Sequence, residues 1–172
     1  IHPFDDAQVI AGQGTAALEL IEAVPDLDIV IAPVGGGGLL SGTAIVARAL
    51  RGQMRVYGAE RANADDAARS FRSGQAEPLP EKVTIADGLR TTLSVRTLAA
   101  IRANVTAIGT ASEDAMVQAM RMTWERMKIV IEPSSAVPLA CLLERTLDVA
   151  GAAVGVIVSG GNVDLDRLPW QA

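Results

Sequence analysis

The 172-residue sequence lacks the features that would let it bind nucleic acid, span a membrane or form disulfide bonds. Its 15 Lys and Arg against 20 Asp and Glu give a net charge of −5, so we expect no nucleic-acid or membrane partner. Cys141 is the only cysteine, which excludes a disulfide within the chain and predicts a reducing compartment such as the cytoplasm. The apolar runs are interrupted by Pro33 and Ser159 before they reach the length of a membrane span. The expected partners are therefore small molecules or other proteins.

What the sequence does contain is enough apolar material for one sizeable core. Apolar residues make up 49% of the chain and the mean hydropathy is +0.29. Strand and helix patterns alternate, which predicts an α/β fold with an open, largely parallel sheet flanked by helices. Predicted strands cover 27–33, 54–59, 105–108 and 153–158, and predicted helices cover 39–50, 63–73, 94–103, 112–127 and 133–147. Near the N-terminus, residues 12–15 are predicted to form a turn into a helix, with Thr15 as its N-cap.

Four consecutive glycines, from Gly35 to Gly38, join the first predicted strand to its helix. Without Cβ atoms, such a loop can bring its N–H groups close to a ligand, and the following helix adds the positive end of its dipole. The pattern therefore predicts a phosphate site, although a tight turn without a ligand is the alternative. A Walker A loop is excluded because Leu39 and Leu40 stand where Lys and Ser or Thr are required.

A dinucleotide-binding loop is a weaker alternative. Glu60 follows the second predicted strand, where such folds place a ribose-binding acid. However, the third glycine of the required pattern would fall at Ser41 or at Leu40.

Seven segments together resemble the serine racemase and serine/threonine dehydratase branch of the fold type II pyridoxal-phosphate enzymes, the tryptophan synthase β group. They extend over nearly the whole chain, which makes the combination more specific than any one segment. The segments are 9–15 (VIAGQGT), 35–38 (GGGG), 60–66 (ERANADD), 84–88 (TIADG), 124–128 (WERMK), 131–133 (IEP) and 159–162 (SGGN).

This resemblance implies a pyridoxal 5'-phosphate cofactor and a small amino-acid substrate, in a homodimer when intact. The implied reaction is β-elimination of serine, threonine or related β-hydroxy amino acids to a 2-oxo acid and ammonia, with racemisation as a second activity. The Ser159 hydroxyl would bind the pyridine nitrogen, and Glu132 would lie near the ring edge. The implied cofactor-binding residues are Gly35, Gly36, Gly37, Gly38, Leu39, Ser159 and Glu132.

The resemblance also implies a divalent cation bound by Glu60, Ala64 and Asp66. Two carboxylates and the Ala64 carbonyl are hard oxygen ligands, which suit Mg²⁺, Ca²⁺ or Mn²⁺. Taken without the resemblance, acids at a strand end and a helix start are more often simply solvated.

The family's catalytic lysine, which forms a Schiff base with the cofactor, lies in a Ser-x-Lys motif upstream of the region resembled. The only lysines here, Lys82 and Lys128, are not in that context. We therefore expect residues 1–172 to be the cofactor-binding portion of the large domain, inactive alone, with the lysine segment and small domain outside this sequence. The alternative is a lysine-free module that binds phosphate or cofactor, or serves assembly, without catalysis.

Overall fold

The fold is built on a four-stranded parallel sheet, as predicted. The computed structural model describes residues 1–79 and 84–171, so Lys82 lies outside the described residues. The strands are β1 (Ile29–Pro33), β2 (Arg55–Arg61), β3 (Ala107–Ala111) and β4 (Val154–Val156), in the order β3-β2-β1-β4. The helices are α1 (Ala7–Ala23), α2 (Gly38–Leu50), α3 (Asp66–Ser73), α4 (Val95–Asn104), α5 (Glu113–Met127) and α6 (Pro133–Leu143), with short 3-10 turns at Ala62–Ala64 and Asp87–Leu89.

Helices cover both faces of the sheet, and every residue of the inner strand β1 is therefore buried. Val30 and Ala32 of β1 face a core shared with α1, α2 and α4. Ile29 and Ile31 point the other way, into a core shared with α5 and α6. None of the described helices is both long and apolar enough to cross a membrane.

The strand register brings three strand ends to the same edge of the sheet. Pro33 at the end of β1 pairs with Ala59 of β2, and Ile31 pairs with Val156 at the end of β4. The loops that follow these strands contain the glycine run, the Glu60 segment and Ser159. Carboxyl ends of parallel strands are where ligands bind in such sheets.

The prediction for the N-terminal helix was wrong. The helix begins at Ala7 instead of after Thr15, because the Asp6 carboxylate accepts hydrogen bonds from the Gln8 and Val9 N–H groups. Gly14 lies inside the helix, where a Cβ would stand 2.9 Å from Val46 Cγ2 and 3.0 Å from the Gly42 carbonyl oxygen. This glycine therefore allows α1 and α2 to pack closely and does not form a turn.

Other element boundaries differ by a few residues. Helix α6 ends at Leu143, not near 147, since Arg145 takes a left-handed conformation at φ 57°. Strand β3 covers Ala107–Ala111, later than the predicted 105–108. On α5, Met116 and Met120 are in the core, whereas Met122 is 43% exposed.

Candidate functional site

A cleft of about 340 Å³ opens at the carboxyl ends of β1 and β4. The structure brings all seven predicted cofactor residues into its lining: Gly35, Gly36, Gly37, Gly38, Leu39, Glu132 and Ser159. Phe4, Gln13, Gly88, Leu89, Thr91 and Ser134 also line it. Because these residues meet at adjacent strand ends, one ligand could contact all of them. The role assigned to each residue stays a prediction.

The glycine loop has the geometry of a phosphate cradle. Gly37 is the N-cap of α2 and takes a left-handed conformation at φ 88°, which side chains rarely adopt. A Cβ on Gly36 would overlap the Phe4 ring. No side chain of the described residues caps α2, so the N–H groups of its first turn have no side-chain or intrahelical acceptor. These N–H groups fit an anionic group such as the cofactor phosphate.

Ser159 belongs to a small hydrogen-bond network that the sequence did not reveal. Its Oγ lies 3.1 Å from the Oγ of Ser135, which is completely buried at the start of α6. Ser135 Oγ also accepts a 2.6 Å hydrogen bond from the Gly160 N–H and lies 2.8 Å from the Gly160 carbonyl, to which it can donate. Ser135 thus fixes the position of the Ser159 loop.

Glu132 secures the same loop from the other side. Its carboxylate Oε2 accepts a 2.9 Å hydrogen bond from the Asn162 N–H, and its own N–H donates to the Gly160 carbonyl at 3.1 Å. Next to it, Ser134 Oγ accepts from the Gly88 N–H at 3.1 Å. The 84–88 segment and the 159–162 segment are therefore both attached to the start of α6.

The predicted cation site forms a separate buried cluster at the end of β2. Glu60 accepts hydrogen bonds from the Ala67 and Ala68 N–H groups at 2.8 Å each, and so caps the start of α3. Burial raises the pKa of Glu60 to about 8, although these two N–H groups favour the carboxylate. Ala64 is buried in the neighbouring 3-10 turn.

Asp66 is also completely buried, and within residues 1–79 and 84–171 neither of its side-chain oxygens has a hydrogen-bond partner. The Nη2 of Arg61 lies 3.6 Å from its Oδ1. Burial raises the pKa of Asp66, and the charge of Arg61 opposes that shift. Buried carboxylate oxygens without hydrogen-bond partners fit a cation with oxygen ligands. Among the described residues no three His, Cys, Asp or Glu side chains are grouped as metal ligands; the predicted set has two carboxylates and one carbonyl.

The lysines do not contribute to the cleft as far as the structure describes them. Lys128 follows α5, takes a left-handed conformation at φ 61° and is exposed. It is absent from the described lining of the cleft. Lys82 falls in the segment that the structure does not describe.

Together, the parallel sheet, the glycine cradle and the serine opposite it define a pyridoxal-phosphate fold of type II, and comparison with known proteins agrees. Residues 1–160 match the family model described as "Pyridoxal-phosphate dependent enzyme", and the chain belongs to this family. The resemblance to its serine racemase and dehydratase branch is confirmed.

Two curated relatives and one solved structure illustrate the similarity. The chain is 51% identical over 173 residues to the β-hydroxyaspartate dehydratase of Paracoccus denitrificans, covering 99% of this chain and 54% of that protein. It is 51% identical over 174 residues to the serine racemase of Dictyostelium discoideum, covering 98% and 53%. The structure of maize serine racemase superposes with a TM-score of 0.92 at 43% identity, covering 96% and 52%. The chain thus spans about half the length of the curated relatives it matches.

Proposed function

We propose that the protein containing this chain is a pyridoxal-phosphate-dependent ammonia-lyase acting on serine, threonine or related β-hydroxy amino acids, with racemisation as a second activity. The observation that carries the proposal is that the glycine cradle and Ser159 line the same cleft. Relatives named as a hydroxyaspartate dehydratase and a serine racemase support the substrate class.

The reaction breaks the Cα–H and Cβ–O bonds of the substrate. Water leaves, and a later hydrolysis returns one water and releases ammonia, so that one 2-oxo acid forms for each ammonia. The bound cofactor supplies an electron sink for the charge that develops at Cα when its proton is removed. The chain's own residues would bind and orient this group: the N–H groups of Gly35 to Leu39 would hold the phosphate, and the Ser159 hydroxyl would hydrogen-bond the ring nitrogen. All of these residues line the cleft.

A serine opposite the ring nitrogen has a chemical consequence. A hydroxyl is far too weak an acid to protonate a pyridine nitrogen, so Ser159 donates a hydrogen bond and leaves the ring a moderate electron sink. A moderate sink suits elimination, where the departing hydroxyl takes the electron pair. Ser135 supports this role because it can donate its proton to Ser159 while it accepts the Gly160 N–H.

The resemblance assigns removal of the Cα proton to a lysine, and no lysine of the described residues lines the cleft. Lys128 is exposed beyond α5 and absent from the described lining. This observation also favours the second candidate, a module that binds phosphate or cofactor without catalysis. The two candidates differ in turnover. Incubating the intact protein with cofactor and serine, threonine or 3-hydroxyaspartate should give equal amounts of 2-oxo acid and ammonia, whereas the module would give neither.

The proposal includes a stabilising divalent cation, Mg²⁺, Ca²⁺ or Mn²⁺, held by Glu60, Ala64 and Asp66. Its support is the buried Asp66 carboxylate without hydrogen-bond partners among the described residues. These residues do not belong to the described lining of the cleft, so the cation would stabilise the fold and take no part in the reaction. At a hundredfold excess over Kd, it would add about 2.7 kcal/mol to the free energy of unfolding. Equal melting temperatures with Mg²⁺ and with chelator would contradict this role.

We further propose a homodimer in a reducing compartment such as the cytoplasm. Exposed apolar side chains around α5 and α6 support self-association: Met122 is 43%, Met127 58% and Leu143 40% exposed. The sole cysteine, Cys141, is a buried free thiol, which is compatible with a reducing compartment. Sedimentation of the intact protein tests the dimer.

A further inference from the structure

Arg61 is an unusual component of the Glu60 and Asp66 cluster. It is the largest fully buried side chain of the described residues, and none of its three side-chain nitrogens has a hydrogen-bond partner there. A guanidinium carries five N–H donors, and burying it unpaired costs free energy unless a nearby opposite charge compensates. A particular interaction must therefore hold Arg61 in this position.

Asp66 supplies that interaction, and the buried Asp66 carboxylate in turn requires the positive charge of Arg61. In the described residues, Arg61 is the one cationic side chain within 4.0 Å of the Asp66 carboxylate, at 3.6 Å. The adjacent Asp65 contrasts with it, because Asp65 is half-exposed and pairs with Arg69 and Arg72 at the surface. Burial lowers the pKa of Arg61, and the charge of Asp66 is the largest influence that opposes this shift. A buried carboxylate without a counter-charge would strongly destabilise the fold, and so would a buried guanidinium without one. Each charge of the Arg61–Asp66 pair therefore offsets the cost of burying the other.

A divalent cation at Asp66 would have to share this space. Oxygen ligands hold Mg²⁺ or Ca²⁺ at about 2.0 to 2.6 Å. Since Arg61 Nη2 is 3.6 Å from Asp66 Oδ1, the cation would lie within about 6 Å of the guanidinium unless Arg61 moved. Like charges at that distance in a buried site repel strongly.

We propose that Arg61 is a built-in counter-ion for Asp66, which stabilises the Glu60, Ala64 and Asp66 site without metal and competes there with a divalent cation. The inference rests on the cation site of the proposed function. It makes Arg61 the residue that determines how strongly this chain depends on a cation.

The test compares the intact wild-type protein with the Arg61→Gln variant, which keeps most of the side chain but removes its charge. After treatment with chelator, Mg²⁺ binding is measured by calorimetry, and melting temperatures are measured with chelator and with saturating Mg²⁺. We expect Arg61→Gln to bind Mg²⁺ about tenfold more tightly because the repulsion is gone. In chelator, the melting temperature of Arg61→Gln should be lower than that of wild type. Addition of Mg²⁺ should raise the melting temperature of the variant by more than that of wild type.

Arg121→Gln is the matched control, because Arg121 forms an exposed ion pair with Glu125 on α5. It should leave the Mg²⁺ affinity and the melting shift unchanged. Equal or weaker Mg²⁺ binding by Arg61→Gln, with the same melting shift as wild type, would overturn the proposal.

Two further outcomes remain informative. If Arg61→Gln does not fold with or without Mg²⁺, the double variant Arg61→Gln/Asp66→Asn should fold in chelator because both charges are removed together; failure of the double variant contradicts the pairing. If neither wild type nor Arg61→Gln binds Mg²⁺, the competition is overturned together with the cation site. Turnover of amino acids is not part of the readout, so this inference and the proposed reaction can fail independently.

Discussion

At the scale of single residues, Ser135 determines what Ser159 can do. Its hydroxyl has one proton, which it can donate either to Ser159 Oγ at 3.1 Å or to the Gly160 carbonyl at 2.8 Å. In the first arrangement Ser159 is free to donate to a ligand nitrogen. In the second, Ser159 donates to Ser135 and can accept from a protonated nitrogen. With the cofactor bound as proposed, the pair would accommodate either protonation state of the ring nitrogen.

The Ser135→Ala substitution should leave the Ser159 hydroxyl less precisely oriented. The substitution removes the contacts of the Ser135 hydroxyl with both Ser159 and Gly160. Loss of the one hydrogen bond that orients Ser159 costs about 1 kcal/mol, so we expect the cofactor Kd to rise at least about fivefold in the intact protein. The pH at which the bound cofactor's absorbance changes should also shift. Ser73→Ala, an exposed serine with only local hydrogen bonds, is the control. An unchanged absorbance titration in Ser135→Ala would remove Ser135 from this role.

Glu60 should make stability fall as pH rises. Its folded-state pKa of about 8 lies above the usual 4.5, so the folded chain keeps a proton that the unfolded chain loses between these values. The stabilisation is complete below about pH 4.5 and is lost by about pH 8, with a total on the order of a few kcal/mol.

Urea unfolding in chelator between pH 5 and pH 9 measures this dependence. Glu60→Gln should show a flatter decrease in unfolding free energy than wild type. The amide also loses one N–H partner, but this lowers stability equally at every pH, so only the slopes are compared. Parallel curves for the two proteins would show that Glu60 is ionised throughout this range.

At the scale of elements, close contact of α1 with α2 depends on where glycine occurs. A Cβ on Gly14 would stand 2.9 Å from Val46 Cγ2, whereas a Cβ on Gly12 would have no neighbour within 4 Å. Both glycines are in α1, so they form a matched pair.

We therefore expect opposite effects from the same substitution. Gly14→Ala should destabilise the protein by about 1 to 3 kcal/mol, because the helices are forced apart. Gly12→Ala should stabilise it by about 0.5 to 1 kcal/mol, because alanine favours the helix and meets no obstacle. Urea unfolding of both variants measures the difference. Equal effects would mean that α1 tolerates separation from α2.

The same helix explains why its start was predicted wrongly. Glycines in a sequence indicate turns when judged locally, and Gly12 and Gly14 are close together. Gly14 is instead required because α2 packs closely against α1 at this position, and a local sequence pattern carries no information about that contact. The bounds of α5 were predicted closely, by contrast, because the hydrogen bond that starts this helix, from the Ala115 N–H to Ser112 Oγ, is local.

At the scale of the whole molecule, the sequence predicted the parallel sheet, the strand ends that meet and the residues of the cleft. Apolar strands, helix periods and glycine runs carry that information along the chain. The roles of Ser135 and Arg61 were missed. The partner of Ser135 is 24 residues away at Ser159, and the partner of Arg61, Asp66, lies beyond the 3-10 turn at Ala62–Ala64. An isolated serine or arginine has no pattern that identifies such partners.

We propose above that the cleft at the carboxyl ends of β1 and β4 holds the cofactor of an elimination reaction. The most direct measurement is cofactor binding together with 2-oxo acid formation in the intact protein, for wild type, Gly36→Ala and Gly52→Ala. A Cβ on Gly36 would overlap the Phe4 ring and disturb the cradle, whereas a Cβ on Gly52 has no neighbour within 4 Å. We predict cofactor-dependent product from wild type and Gly52→Ala, and a rise of about tenfold or more in cofactor Kd for Gly36→Ala. Wild-type cofactor affinity in Gly36→Ala, or no 2-oxo acid from any β-hydroxy amino acid with the wild type, would contradict the account.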